Sequence, residues 1–268
     1  SEFKDKKAKA ISAIAMFYDL EDPNAFVGDI VKCLDAEGLL VIQMAYLPSL
    51  LERNAFDGIC HEHLAIYSLA SLENLLKRHG LEIFDVELRD INEGSFRAYI
   101  RHRGGGRTFC VLPGAEKRIG AMRALEARLN LSNKKVYEDF SRRVSEIKEK
   151  TVGFIKNETA KGRKIFAYGA STKGNTLLQY FGLDNKLIVA AAERNPDKWG
   201  KKTVGTNIPI ISEEEARKAK PDYFLVLPWH FLKEFMERER NFLKGGGKFI
   251  VPLPNFQVLG DEDHRRAR

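Results

Sequence analysis

The chain has 268 residues, 44% hydrophobic and 30% charged, a globular composition long enough for one large or two ordinary domains. It holds no apolar run near the roughly 20 residues of a membrane helix, so no membrane partner is expected. Net charge is +7, but the basic residues are interleaved with acids, as in "EDFSRRVSEIKEK". That mixing argues against nucleic acid and leaves a phosphorylated small substrate, or no charged partner, as the reading.

The cysteines Cys33, Cys60 and Cys110 are odd in number and widely spaced, so neither a disulfide framework nor a zinc pattern follows. The polar, basic opening "SEFKDKKAKA" lacks the apolar stretch of a signal peptide, and a cytoplasmic location is expected.

In chain order, "AISAIAMFYDL" predicts a buried strand over Ile11 to Phe17. A central strand so near the start leads us to expect that the chain is the later part of something longer. "DPNAFVGDIVKCLDAEG" predicts a helix, with Pro23 in its first turn and Gly38 at its end. "LLVIQMAYL" is an apolar strand. "SLASLENLLKRHG" predicts a helix capped by Ser68 or Ser71, with Leu72, Leu75 and Leu76 inward and Gly80 as its stop. "LEIFDVELRD" and "SFRAYIRHR" predict a hairpin around "INEG". Strand, helix, strand, helix and an antiparallel pair make the closing half of a doubly wound, Rossmann-like sheet.

"RGGGR" at 103–107 reads as a linker, and helices prevail from about Ala115 to Lys161. Tyr137, Phe140, Val144, Ile147, Val152 and Ile155 form an apolar stripe. A second Rossmann-like α/β unit follows, with strands in "RKIFAYG", "KLIVAAAERN", "DYFLVLPW" and "GGKFIVPLP". The expected organisation is a first domain over 1–107 and, over 108–268, a helical connector with a C-terminal α/β domain. No internal repeat is evident.

Two stretches carry chemistry. In "FAYGASTKGNTLLQYFG" a strand ends and a helix begins, so Gly169 permits a tight turn and free amides attract an anion. Tyr168, Ser171, Thr172, Lys173 and Asn175 are its candidate contacts, although the spacing is neither G-x-G-x-x-G nor a P-loop. In "FDGICHEHLAIYS" the cluster Cys60, His61, Glu62 and His63 admits a metal site, a structural pair or a proton-transfer site. Placed on a strand, His61 and His63 would share one face and Cys60 and Glu62 the other, which splits a ligand set, so no metal is assigned. Histidine titrates near neutral pH and a neighbouring carboxylate can fix its tautomer.

Together "FDGICHEHLAIYSLASLENLLKRHGLEIFDVELRDINEGSFRAYIRH", "AYGASTKGNTLLQYFG", "ERNPDKWGK" and "LPWHF" resemble the S-adenosylmethionine-dependent sugar C-methyltransferases. The resemblance covers about Ala10 to Val258. It implies methyl transfer to a carbon next to a ketone in a nucleotide-linked deoxysugar, with His63 as base, Glu62 orienting it and His61 supporting. It also implies a zinc-binding domain and a glycine-rich S-adenosylmethionine turn that would precede residue 1, leaving the cofactor site incomplete in this chain. Family members often carry tyrosine where Cys60 stands, near the sugar, and another active-site histidine in the region of Tyr18 or Asp19. Ser95 and Arg97, on a hairpin strand, are expected to line the sugar site. The rival readings are a non-catalytic nucleotide-sugar-binding fragment and a nucleotide-dependent oxidoreductase. The sequence sets neither the sugar nor the oligomeric state.

Overall fold

The structure, a computed structural model, describes residues 6–91, 94–104 and 113–266. Expectations that fall on Asn92 and Glu93 of the hairpin turn, on 105–107 of "RGGGR" and on Cys110 lie outside those residues. The chain divides into two compact units, Ser1–Glu52 with His61–Tyr137, and Arg53–Cys60 with Glu138–Arg268. This differs from a boundary at 107/108, because the first helix after it packs on the first sheet.

Unit 1 contains β1 (Ala8–Ile14), α1 (Pro23–Cys33), β2 (Leu34–Ala45), α2 (Leu47–Glu52), α3 (Leu69–Arg78), β3 (Leu81–Arg89), β4 (Ser95–His102) and α4 (Ala115–Leu129). The sheet order is β1-β2-β4-β3, with β1 and β2 parallel and β4 antiparallel to both neighbours. Leu40, Ile42, Phe96 and Ile100 of the sheet bury against Val27, Leu72, Leu76 and Met122 of the helices. Burying such side chains stabilises by about 1.5–3 kcal/mol each.

Local signals explain most ends. Asp22 accepts from the Ala25 amide at the start of α1. Ser68 and Ser71 form a reciprocal capping box on α3, and Gly80 follows it with φ +71°. Gly38, however, is not a helix stop. The helix ends at Cys33 and Gly38 lies inside β2, where a Cβ would stand 2.6 Å from Leu34 Cδ1 and 2.9 Å from the Ala8 carbonyl oxygen. Glycine is there for the close approach of β1, whose register slips between Ala8 and Ala10. The first strand also lies earlier than expected, ending at Ile14, and Phe17–Asp19 forms a 3-10 turn.

Unit 2 takes most of α5 (Lys134–Ala160), then β5 (Ile165–Tyr168), α6 (Thr172–Phe181), β6 (Ala191–Glu193), β7 (Ile210–Ser212), α7 (Glu213–Lys218), β8 (Tyr223–Val226), α8 (Leu232–Arg238), α9 (Arg240–Lys244), β9 (Lys248–Val251), β10 (Gln257–Leu259) and α10 (Asp261–Arg266). Its sheet order is β10-β9-β8-β5-β6-β7, parallel except for β10. Val144, Ile147 and Ile155 of the stripe are buried, whereas Tyr137 is exposed. Read from β7 inward, the order is that of doubly wound dinucleotide-binding sheets, with the reversal of direction between β5 and β8.

Candidate functional site

The His61 to His63 cluster is not on a strand. Residues 61–62 form a turn and His63 starts an extended segment, after a 3-10 turn at Phe56–Gly58. The alternating-face argument against shared ligands therefore does not apply, and what fixes the segment is its main chain. The amides of Leu64 and Ala65 both donate to the Tyr18 carbonyl, at 2.9 and 3.1 Å. Leu47 N donates to the Tyr67 carbonyl at 2.9 Å, and Tyr46 and Tyr67 form a bridge. The segment thus runs from just beyond the end of β1 to the end of β2, along the carboxyl edge of the parallel pair, where α/β sheets bind ligands.

His63 is half-buried there, edge-on to the Tyr18 ring with centroids 4.4 Å apart. His61 and Glu62 are exposed. Cys60, half-buried, groups with unit 2 while His61 groups with unit 1. Among the described residues no cluster of three His, Cys, Asp or Glu side chains could hold a metal.

The same edge gathers Ser95 and Arg97. Ser95 pairs with Ala45 and Arg97 with Gln43 across β2 and β4. Arg97 Nε donates to Gln43 Oε1 at 2.9 Å, and Gln43 is 7% exposed. Ser95 Oγ is buried with no hydrogen-bond partner among the described residues, an arrangement that calls for a ligand or strain as its reason. Gln43 is the member that sequence reasoning missed. Its signal was a single polar residue inside the apolar run "LLVIQMA".

In unit 2, Tyr168 ends β5 and is buried. Its hydroxyl donates to Glu239 Oε1 at 2.7 Å and accepts from Arg238 Nε at 3.0 Å. Burial first, then the Glu239 carboxylate, pushes this hydroxyl far above the usual tyrosine range. Arg217 holds Glu239 from the other side, and Glu213 bonds Arg217 and pairs with Arg238. Ser171 caps α6 by accepting from Gly174 N at 3.1 Å. Tyr168 and Ser171 line a cavity of about 420 Å³. Thr172, Lys173 and Asn175 lie on the first turn of α6 and are not among the residues lining it. Glu193, past the end of β6, has Lys198 as a nearby cation, at 3.9 Å.

Family models match on both sides of this geometry. Residues 1–86 match a methyltransferase domain, and residues 90–254 match the C-methyltransferase C-terminal domain. The chain belongs to the C-methyltransferase family. It is 31% identical over 255 residues to C-methyltransferase NovU of Streptomyces niveus, covering 95% of this chain. It spans 59% of that relative's length.

Membership of the C-methyltransferases implies S-adenosylmethionine, and the residues in hand can be tested against it. In this fold class the cofactor lies against a glycine-rich turn at the carboxyl end of a parallel strand. Here β1 leads into Ala15, Met16 and the fully buried Phe17, and β2 into Tyr46, Leu47 and Pro48. Neither turn contains glycine, so the described residues of unit 1 do not form that cradle. No helix of the described residues is long and apolar enough to cross a membrane.

Proposed function

We propose that the protein transfers a methyl group from S-adenosylmethionine to the sugar carbon next to a ketone in a nucleotide-linked deoxysugar. The observation that carries this reading is the placement of His63 by the main-chain bonds from Leu64 and Ala65 to Tyr18, at the carboxyl edge of β1 and β2. A carbon acid next to a carbonyl needs a base for its proton and a donor for the enolate oxygen. The His63 imidazole is the base. Arg97, fixed through Nε on Gln43, turns its remaining guanidinium N–H groups to the oxygen, with Ser95 beside it. Glu62 and His61, exposed on the turn, act on the imidazole or the sugar from the solvent side.

A positioned base contributes about 10²–10⁴-fold. His63→Asn is therefore expected to lower methyl transfer by at least about 10²-fold while nucleotide-sugar binding stays unchanged. Near-normal turnover of that variant would remove His63 from the role. Tyr168, Ser171, Thr172, Lys173 and Asn175 are proposed to serve the nucleotide side of the substrate, and Cys60 to neighbour the sugar without acting as a nucleophile.

A further inference from the structure

β3 is an edge strand of the unit 1 sheet, with β4 on one side and, among the described residues, no strand on the other. Such edges invite a further strand, and folded proteins guard them with bulges, charges or caps. The first half of β3 is guarded. Its register slips between Ile83 and Asp85, and the Asp85 carboxylate accepts the Val86 amide at 2.7 Å. Arg118 of α4 holds that carboxylate through two bonds, at 2.9 and 2.6 Å. The Val86 amide therefore points away from β4, and in an antiparallel ladder every second residue does the same. Leu88 is the next, so its N–H and C=O face the open edge.

The second half of the strand is apolar where it is open. Leu88 is 56% exposed and Ile91 beyond it 47%. Leu88 lines, with Val86, Arg118, Ala121, Met122 and Leu125, a groove of about 220 Å³ between β3 and α4.

The charges select what fits there. Glu87 and Arg89 flank Leu88 on the opposite face and pair with each other within the strand. When two β3 strands meet antiparallel, a two-fold axis at Leu88 sets each Glu87 against the partner's Arg89. An axis at Glu87, Arg89 or Asp90 sets like charges directly opposite, which destabilises. An axis at Val86 meets the amide already taken by Asp85. The strand is thus complementary to itself in one register, as an isologous contact requires.

We propose that two copies of the chain join antiparallel through β3, centred on Leu88, so that the two sheets run on as one and the Leu88 side chains cover the paired grooves. In that register the two Leu88 residues exchange both main-chain hydrogen bonds, with their Cα atoms about 5.5 Å apart.

Sedimentation of the chain over a range of concentrations tests this. A monomer–dimer equilibrium is expected, with dimer present at about 100 μM, the weak end for a protein contact. Leu88→Lys, at an exposed position, should leave only monomer at that concentration with the melting temperature unchanged. Arg89→Glu should weaken the dimer by about tenfold, because two cross-strand pairs turn repulsive together. The register has its own readout. Under mild oxidation Leu88→Cys should cross-link, being within disulfide reach of its copy, and Arg89→Cys should not, since its Cα atoms lie beyond about 7 Å. The parent chain, with its own cysteines, is the blank. A chain that stays monomeric at about 100 μM overturns the proposal. So does a dimer that survives both Leu88→Lys and Arg89→Glu, or one in which Arg89→Cys cross-links as readily as Leu88→Cys.

Discussion

Each unit buries one glutamate that accepts a tyrosine hydroxyl at the carboxyl end of a parallel strand, and the two units neutralise that glutamate differently. In unit 1, Glu126 of α4 accepts from Tyr46 at 2.9 Å and from the amides of Leu69 and Ala70, the first residues of α3. Among the described residues no cation pairs with it; the partner is the positive end of a helix. In unit 2, Glu239 accepts from Tyr168, and its counter-charge is Arg217, gripped through two nitrogens. The helix solution is closed: it satisfies amides that α3 would otherwise leave orphaned. The arginine solution extends outward, because Glu213 links Arg217 to Arg238 at the cavity. A backbone partner locks a core, whereas an ionic partner can be shared with a site.

The comparison is most exposed to substitution of the acids. Glu239→Ala removes the buried carboxylate shared by Arg217 and the Tyr168 hydroxyl; with Arg217 41% exposed and still bonded to Glu213, about 3 kcal/mol, the low end for a broken buried pair, is expected from urea unfolding. Glu126→Ala strands two amides and a hydroxyl, and about 1–3 kcal/mol is expected. Equal losses would break the distinction between the two partners.

Truncating the shared hydroxyl sharpens it. Tyr46→Phe and Tyr168→Phe should each cost about 1 kcal/mol, since in both the acid keeps its main partner.

Burial, then the neighbouring glutamate, holds both hydroxyls above the ordinary tyrosine value of 10.0. A group raised on folding contributes stability that is full below its unfolded value and is lost as pH rises above it. Melting temperature should therefore fall above that value, and less so in the two phenylalanine variants. A parallel decline in all three proteins would show that other groups govern alkaline unfolding.

An effect as small as that of the tyrosine variants is expected for Ser68→Ala. It removes the cap that complements Glu126 at the start of α3, and about 1 kcal/mol is expected from thermal melts.

Elements built from near neighbours were legible in the sequence. The α3 cap and its glycine, the β3–β4 pair and the α/β class all follow from local spacing. Elements set by distant partners were not. Gly38 reads as a stop because a glycine after a helical run usually is one, and only the approach of Ala8 reveals its place in a strand. The histidine cluster reads as a strand because it joins two apolar stretches, while its course is set by the carbonyl of Tyr18, far back in the chain. The helical run after β8 breaks between Arg238 and Arg240, where Glu239 turns inward to Arg217, a partner no local spacing reveals. The site itself was half legible. His63, Arg97 and Ser95 come to one edge, but Gln43, which fixes Arg97, is visible only as an oddity in an apolar strand.

The two amides that converge on the Tyr18 carbonyl have a consequence for how this loop can change over generations. These two bonds hold the loop through its main chain, one residue past His63, and by themselves make no demand on the identity of the side chains at 61, 62 and 63. Those three positions can be exchanged while the ribbon beneath them stays where it is. A lineage can therefore refit the loop for a different acceptor by point substitution, without first rebuilding the ground on which the new residues stand.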